Sequence, residues 1–143
     1  MAQVAAGGFH SMAMDLHGSV LFSWGRSDYG QLGLGDDEEG AGSFEMKPKL
    51  IAFPDREPGL RFVQIDCGES TALAVSDQGD IYTWGFGTTA ATGHEDTTID
   101  YIRPRKLTNF ENSDTTEYNV VAASAGGQHT LLVVERFNKT EKR

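Results

Sequence analysis

The side chains of this sequence that could do chemistry are few: four histidines (His10, His17, His94 and His129) and one cysteine, Cys67. Two histidines sit beside hydroxyls, in His10-Ser11 and His129-Thr130. Neighbours along a strand point to opposite faces, so neither pair sets an imidazole against the hydroxyl it would activate. Cys67 lies in Ile65-Asp66-Cys67-Gly68, at a strand start with apolar neighbours. It reads as a buried structural thiol, since a nucleophile wants a basic, partly exposed setting. The histidines lack metal-ligand spacing, and one cysteine does not complete a zinc set. No Gly-x-x-x-x-Gly-Lys-Ser/Thr stretch occurs, so the chain has no phosphate-binding loop of its own. Carboxylates are not clustered as a catalytic pair. The expectation is a protein that works by binding, with no covalent chemistry, cofactor or metal. His10 and His129 stand out because each follows a Gly-Gly-x turn and opens a strand. One role is to cap that turn by bonding to neighbouring backbone, as buried polar groups do. The other is to face a partner.

The elements that hold these residues must come from a chain of 143 residues, the size of one small domain. Its formal net charge is -9, which has the wrong sign for wrapping a phosphate backbone, so no direct nucleic-acid binding is expected. Apolar runs reach four or five residues, too short for a membrane span, and Met1-Ala2-Gln3-Val4 does not read as a signal peptide. The single cysteine leaves no internal disulfide and fits a reducing compartment. Glycine numbers 17, well above the usual share of about 7%, and there is no Gly-X-Y period. Such glycines belong to tight turns.

The chain repeats itself. Phe22-Ser23-Trp24-Gly25 matches Tyr82-Thr83-Trp84-Gly85, with the tryptophans 60 residues apart. Gly8 and Gly68, also 60 apart, each precede an alternating apolar run, and a third copy opens at Gly127, 59 residues on. In that alignment the middle unit carries Ser70 where the outer two carry His10 and His129. Gly18 and Gly79 mark hairpins, with a one-residue offset that the following strand absorbs. Ser19 to Trp24 and Asp80 to Trp84 read as return strands rich in β-branched and aromatic residues. Pro48-Lys49-Leu50-Ile51 and Pro104-Arg105-Lys106-Leu107 read as short edge strands that start at proline, where no ladder donor is lost. Asp36 to Lys47, Asp55 to Gly59 and Phe110 to Tyr118 read as polar connectors, with Asp36-Asp37-Glu38-Glu39 a solvated loop tip. No helical periodicity occurs. Four short strands per unit at a long fixed period predict an all-β fold, a partial β-propeller.

Trp24-Gly25 followed by Tyr29-Gly30-Gln31-Leu32-Gly33-Leu34-Gly35, with Gly7-Gly8-Phe9-His10-Ser11 upstream, resembles the regulator of chromosome condensation repeat. Gly126-Gly127-Gln128-His129-Thr130-Leu131-Leu132-Val133-Val134 before a short charged tail resembles the end of that family's founding member, as does Trp84-Gly85-Phe86-Gly87-Thr88. The resemblance covers about Val4 to Glu135. It implies a seven-bladed propeller that acts in the nucleus, on chromatin, as guanine-nucleotide exchange factor for the Ran GTPase. Histones or chromatin are then further partners through the full-length protein. Histidines of the Gly-Gly-Gln-His type line the GTPase-binding surface in the family, which nominates His10 and His129 here. The rival expectation is a non-catalytic propeller scaffold for protein interaction within a larger protein.

The second unit departs from the pattern, with Thr89-Ala90-Ala91-Thr92-Gly93 in place of Tyr-Gly-Gln-Leu-Gly; the turn should persist with altered packing. Residues 1–136 are expected to hold two full repeats, about 4–62 and 63–120, and the start of a third, 121–136, before a charged tail at 137–143. So short a run cannot close a ring, and the expectation is the C-terminal portion of a longer protein. Open blade faces of several hundred Å² would forfeit on the order of 10 kcal/mol, comparable to the whole stability of a domain.

Overall fold

In the computed structural model, residues 2–35, 44–108 and 116–138 are described, and their regular elements are all strands. The first sheet holds β1 (Gln3–Ala6), β2 (His10–Met14), β3 (Leu21–Arg26) and β4 (Phe44–Leu50). The second holds β5 (Phe62–Cys67), β6 (Thr71–Ser76), β7 (Ile81–Gly85) and β8 (Tyr101–Lys106), and the third pairs β9 (Thr116–Ala125) with β10 (Thr130–Asn138). Every pairing is antiparallel between consecutive strands. β1 lies beside β5, and β5 beside β9, so the first strand of each sheet faces the same side of the stack. These are successive blades of a propeller, and the fold is a partial β-propeller.

The alternation of each strand decides which blade it packs against. Met12, Met14 and Leu21 point from the first blade onto Ala72, Ala74, Tyr82 and Trp84 of the second, with Ile51, Leu60 and Phe62 filling the junction. The opposite side of the second blade, Leu73, Val75 and Ile81, packs on Val120 and Ala123 of the third. Hence β6 and β7 are buried at every position. The outer sides are open: Leu131 and Val133 are exposed on the third blade, and Phe22 and Trp24 are only half-buried on the first.

Backbone bonds stitch the blades at both ends. Gly8 N–H donates to Gly68 O (3.3 Å) and Glu69 N–H to Gly126 O (3.4 Å) at one end. Phe62 N–H donates to Gly18 O and Val120 N–H to Gly79 O, both 2.9 Å, at the other. The innermost strands add an amide clamp. Gln3 Oε1 accepts from Ile65 N–H (2.7 Å), and Gln64 bonds Ala123 through both its amide nitrogen (2.5 Å) and oxygen (3.0 Å).

The bond that closes each β1–β2-type turn corrects the repeat register. Gly7 N–H donates to His10 O, Gly68 N–H to Thr71 O and Gly126 N–H to His129 O. The residue equivalent to His10 and His129 is therefore Thr71, not Ser70. The offset between the two hairpins also moves. Gly7 to Gly18 matches Gly68 to Gly79 in length, and the extra residue of the first blade follows Gly18. There Asp15 Oδ1 accepts from both Ser19 N–H (2.6 Å) and Val20 N–H (3.0 Å), which holds its carboxyl below the usual carboxylate range.

Three further expectations change. Phe44 to Lys47 and Thr116 to Tyr118 are strand rather than connector, and β10 takes in Phe137 and Asn138 of the stretch assigned to the tail. Pro48 and Pro104 lie inside β4 and β8 instead of starting them. Each sits where the pairing shifts, opposite Trp24 and Trp84, so the missing N–H costs no ladder bond. The acidic run Asp36 to Glu39 lies outside the described residues.

The altered turn of the second blade is retained. Gly93 N–H donates to Ala90 O as Gly33 N–H does to Gly30 O. Ala90 then takes a φ of 60°, where the first blade has Gly30 at 74°. An alanine in this region costs about 1–2 kcal/mol, partly offset by the greater chain entropy of glycine. Ala90→Gly is therefore expected to raise stability by about 0.5–1 kcal/mol, read from the urea midpoint. An unchanged or lower midpoint would show that Ala90 is not strained.

Candidate functional site

The two nominated histidines stand on the same rim, where the β1–β2, β5–β6 and β9–β10 turns lie side by side. They do not meet, because the second blade stands between them. His10 is 3% exposed, and its Nε2–H donates to Thr71 O of the next blade at 3.1 Å. Its Nδ1 is buried without a partner. The ring lies over Gly7, where a Cβ would collide with Gly68 O and sit 2.5 Å from His10 Cε1, so only glycine fits. Burial brings the His10 pKa down to about 4, with the bond to Thr71 opposing it. A proton on Nδ1 would have no acceptor, which is why the neutral ring is favoured. His129 occupies the same place on the third blade, over Gly126, and is exposed.

Around these turns the rim carries aromatic and charged groups from the β1–β2 turn, the end of β3 and the loops after β3 and β7. Phe9 is 61% exposed, with the Arg26 guanidinium 5.3 Å from its ring centre and ion-paired to Asp28. Tyr29 packs against Phe86 with the rings tilted and 4.7 Å between their centres, bridging the first and second blades. Between the second and third turns lies a cavity of about 200 Å³ lined by Tyr29, Glu69, Thr71, Phe86 and Gln128, among others.

The loops beneath the rim are held by the repeat residues themselves. Ser23 Oγ donates to Leu32 O (2.7 Å), and Trp84 Nε1–H crosses to Gln31 O of the first blade (3.0 Å). In the second blade Thr83 Oγ1 donates to Thr92 O and contacts His94 Nε2 at 2.9 Å. His94 is thus buried against β7 of its own blade, and burial lowers its pKa. Cys67 is buried, and burial pushes its thiol up to about 12, which suits packing and not nucleophilic attack. Among the described residues no group of three or more His, Cys, Asp or Glu could hold a metal. No described helix is long and apolar enough to cross a membrane.

Sequence reasoning missed Thr71, Glu69 and the glutamine clamp. Gln3 and Gln64 stand 61 residues apart, the same spacing as Gly7 and Gly68, so the corrected register would have found them.

The arrangement is that of a repeat propeller with a turn-lined rim. The chain belongs to the Regulator of chromosome condensation (RCC1) repeat family, whose models match residues 1–31, 19–75 and 78–133. It is 35% identical over 134 residues to Probable E3 ubiquitin-protein ligase HERC3 of Homo sapiens, covering 94% of this chain and 11% of that protein. It is 36% identical over 133 residues to Regulator of chromosome condensation of Mus musculus, covering 92% of this chain and 28% of that protein. Among solved structures it resembles Prp20p of Saccharomyces cerevisiae, described with its binding properties to Gsp1p and histones. The TM-score is 0.78 at 25% identity, over 98% of this chain and 32% of that one. The chain therefore spans less than a third of each of these proteins.

Proposed function

We propose that these blades belong to a guanine-nucleotide exchange factor for a Ran-type small GTPase, acting in the nucleus by binding rather than by covalent chemistry. The likeness to mouse Regulator of chromosome condensation over 92% of the chain is the observation that carries this reading. Prp20p, with its binding to Gsp1p and histones, supports both a protein partner and a chromatin partner. On this reading the GTPase docks on the rim of β1–β2-type turns. His129 meets it directly. His10 is buried in its junction and contributes by holding the first turn against the second.

An exchange factor speeds nucleotide release by binding the nucleotide-free GTPase more tightly than the loaded one. Linkage then lowers nucleotide affinity by the same factor. The net charge of -9 suits steering toward a basic surface around a phosphate site. The match to HERC3, of which this chain covers 11%, favours a second reading: a protein-interaction scaffold within a larger protein.

Release of labelled nucleotide from Ran, driven by the full-length protein that carries these blades, separates the two. Exchange activity predicts acceleration that His129→Ala reduces and His10→Ala reduces through the rim. No acceleration by the unaltered protein would favour the scaffold. Unchanged release in both variants would remove the two histidines from the site.

A further inference from the structure

The blade junctions differ at one position, and the difference leaves a socket. Between the first two blades the His10 ring fills the space over Gly7 and bonds Thr71 O. Across the next junction the equivalent residue is Thr71, whose hydroxyl lies over Gly68, where a Cβ would be 2.5 Å from it. This side chain is too short to repeat the bond. Thr71 is 4% exposed, and its Oγ1 is buried with no hydrogen-bond partner. The cavity of about 200 Å³ opens beside it.

The lining of that cavity defines what it would take. Glu69 supplies a carboxylate, and no Lys, Arg or His is among the lining residues. Tyr29 and Phe86 form an aromatic wall, their ring centres 4.7 Å apart and their planes tilted by 54°. Thr71 Oγ1 is a buried acceptor without a partner, and the exposed Gln128 also lines the cavity. The volume is below the roughly 300–1,000 Å³ of small-molecule sites, which suits one inserted side chain. A carboxylate, aromatic faces and a neutral acceptor together recognise a planar cation with several N–H donors.

We propose that this inter-blade socket receives an arginine side chain of a protein partner. The guanidinium pairs with Glu69, lies against the rings of Phe86 and Tyr29, and donates to the Thr71 hydroxyl. The socket does not depend on the partner being a GTPase; it states what any partner docking at this junction must present.

The test uses the full-length protein and N-acetyl-arginine N-methylamide as probe, with the citrulline analogue as its neutral isostere, read by saturation-transfer NMR on the probe. Saturable binding of the arginine probe is expected, weakened about tenfold for citrulline and about tenfold by Glu69→Gln. Thr71→His should close the socket and abolish binding while leaving the fold intact by circular dichroism, since His10 already occupies the matching place in the junction before it. Equal binding of citrulline, or undiminished binding by either variant, would overturn the proposal. The two variants act by different means, so either one remains decisive if the other fails to fold.

Discussion

Replacing Trp84 by alanine is expected to destabilise the chain by about 4 kcal/mol, while Trp24→Ala, at the equivalent place one repeat earlier, should cost less than half of that. The two residues are alike in sequence context but not in surroundings. Trp84 is 0% exposed, packs edge-on to Phe53 at 5.8 Å between ring centres, and donates through Nε1–H to Gln31 O across the junction. Truncating a buried tryptophan to alanine costs about 3–5 kcal/mol through lost transfer energy and a residual cavity. Here it also strands a buried carbonyl. Trp24 points to the open side of the first blade and is half-buried. Urea midpoints of both variants at one protein concentration test this. Equal losses would mean that the first blade has a partner on its outer side. Trp84→Phe should recover much of the apolar loss but not the bond to Gln31.

Acidification should loosen the first blade junction at a higher pH than that at which the depressed carboxyls of Asp15 and Asp96 are titrated. The His10 pKa is about 4 when folded against an ordinary value of 6.5. Above pH 6.5 the ring is neutral in both states, and the junction has its full stability. Between pH 6.5 and about 4 the unfolded chain takes up a proton that the folded chain refuses, so stability falls as pH falls. The total loss is about 3 kcal/mol, at 1.36 kcal/mol per pH unit. The lowered pKa of His94 adds to the loss with the same sign. Asp15 and Asp96 are shifted below 3.8, and their contributions are lost only at lower pH still. His10→Gln should flatten most of the slope of stability between pH 6.5 and 4. An unchanged slope in that variant would show that His10 is not held neutral by its burial.

The blade architecture was legible because turn glycines and tryptophans recur at a fixed spacing and helical periodicity is absent. The tryptophan pair and the Gly-Gly turns located the strands that matter, and Trp84 packs between blades as its position required. The register failed at one place for a physical reason. The first and third turns have two adjacent glycines, while the second has one, Gly68, followed by Glu69. Aligning Gly68 with Gly8 matched residue types, but the turn bond places it with Gly7. That one-residue slip hid Thr71 and with it the socket. Strand lengths were underestimated because polar residues such as Glu45, Lys47 and Glu117 read as connector, although strands with a solvated side tolerate them. Nothing local in the sequence distinguishes the exposed His129 from the buried His10. Their difference lies in the blade that covers one and, in this structure, does not cover the other.

These sheets are radial blades that need neighbours on both sides, a condition met only by β5–β8 among the described residues. Sedimentation of the 143-residue chain alone, over a wide range of concentration, tests that need most directly. The open faces carrying Leu131 and Val133 on one side, and Phe22 and Trp24 on the other, predict a mass that rises with concentration and a thermal midpoint that rises with it. A monomer at every concentration, unfolding sharply at one fixed temperature, would contradict it.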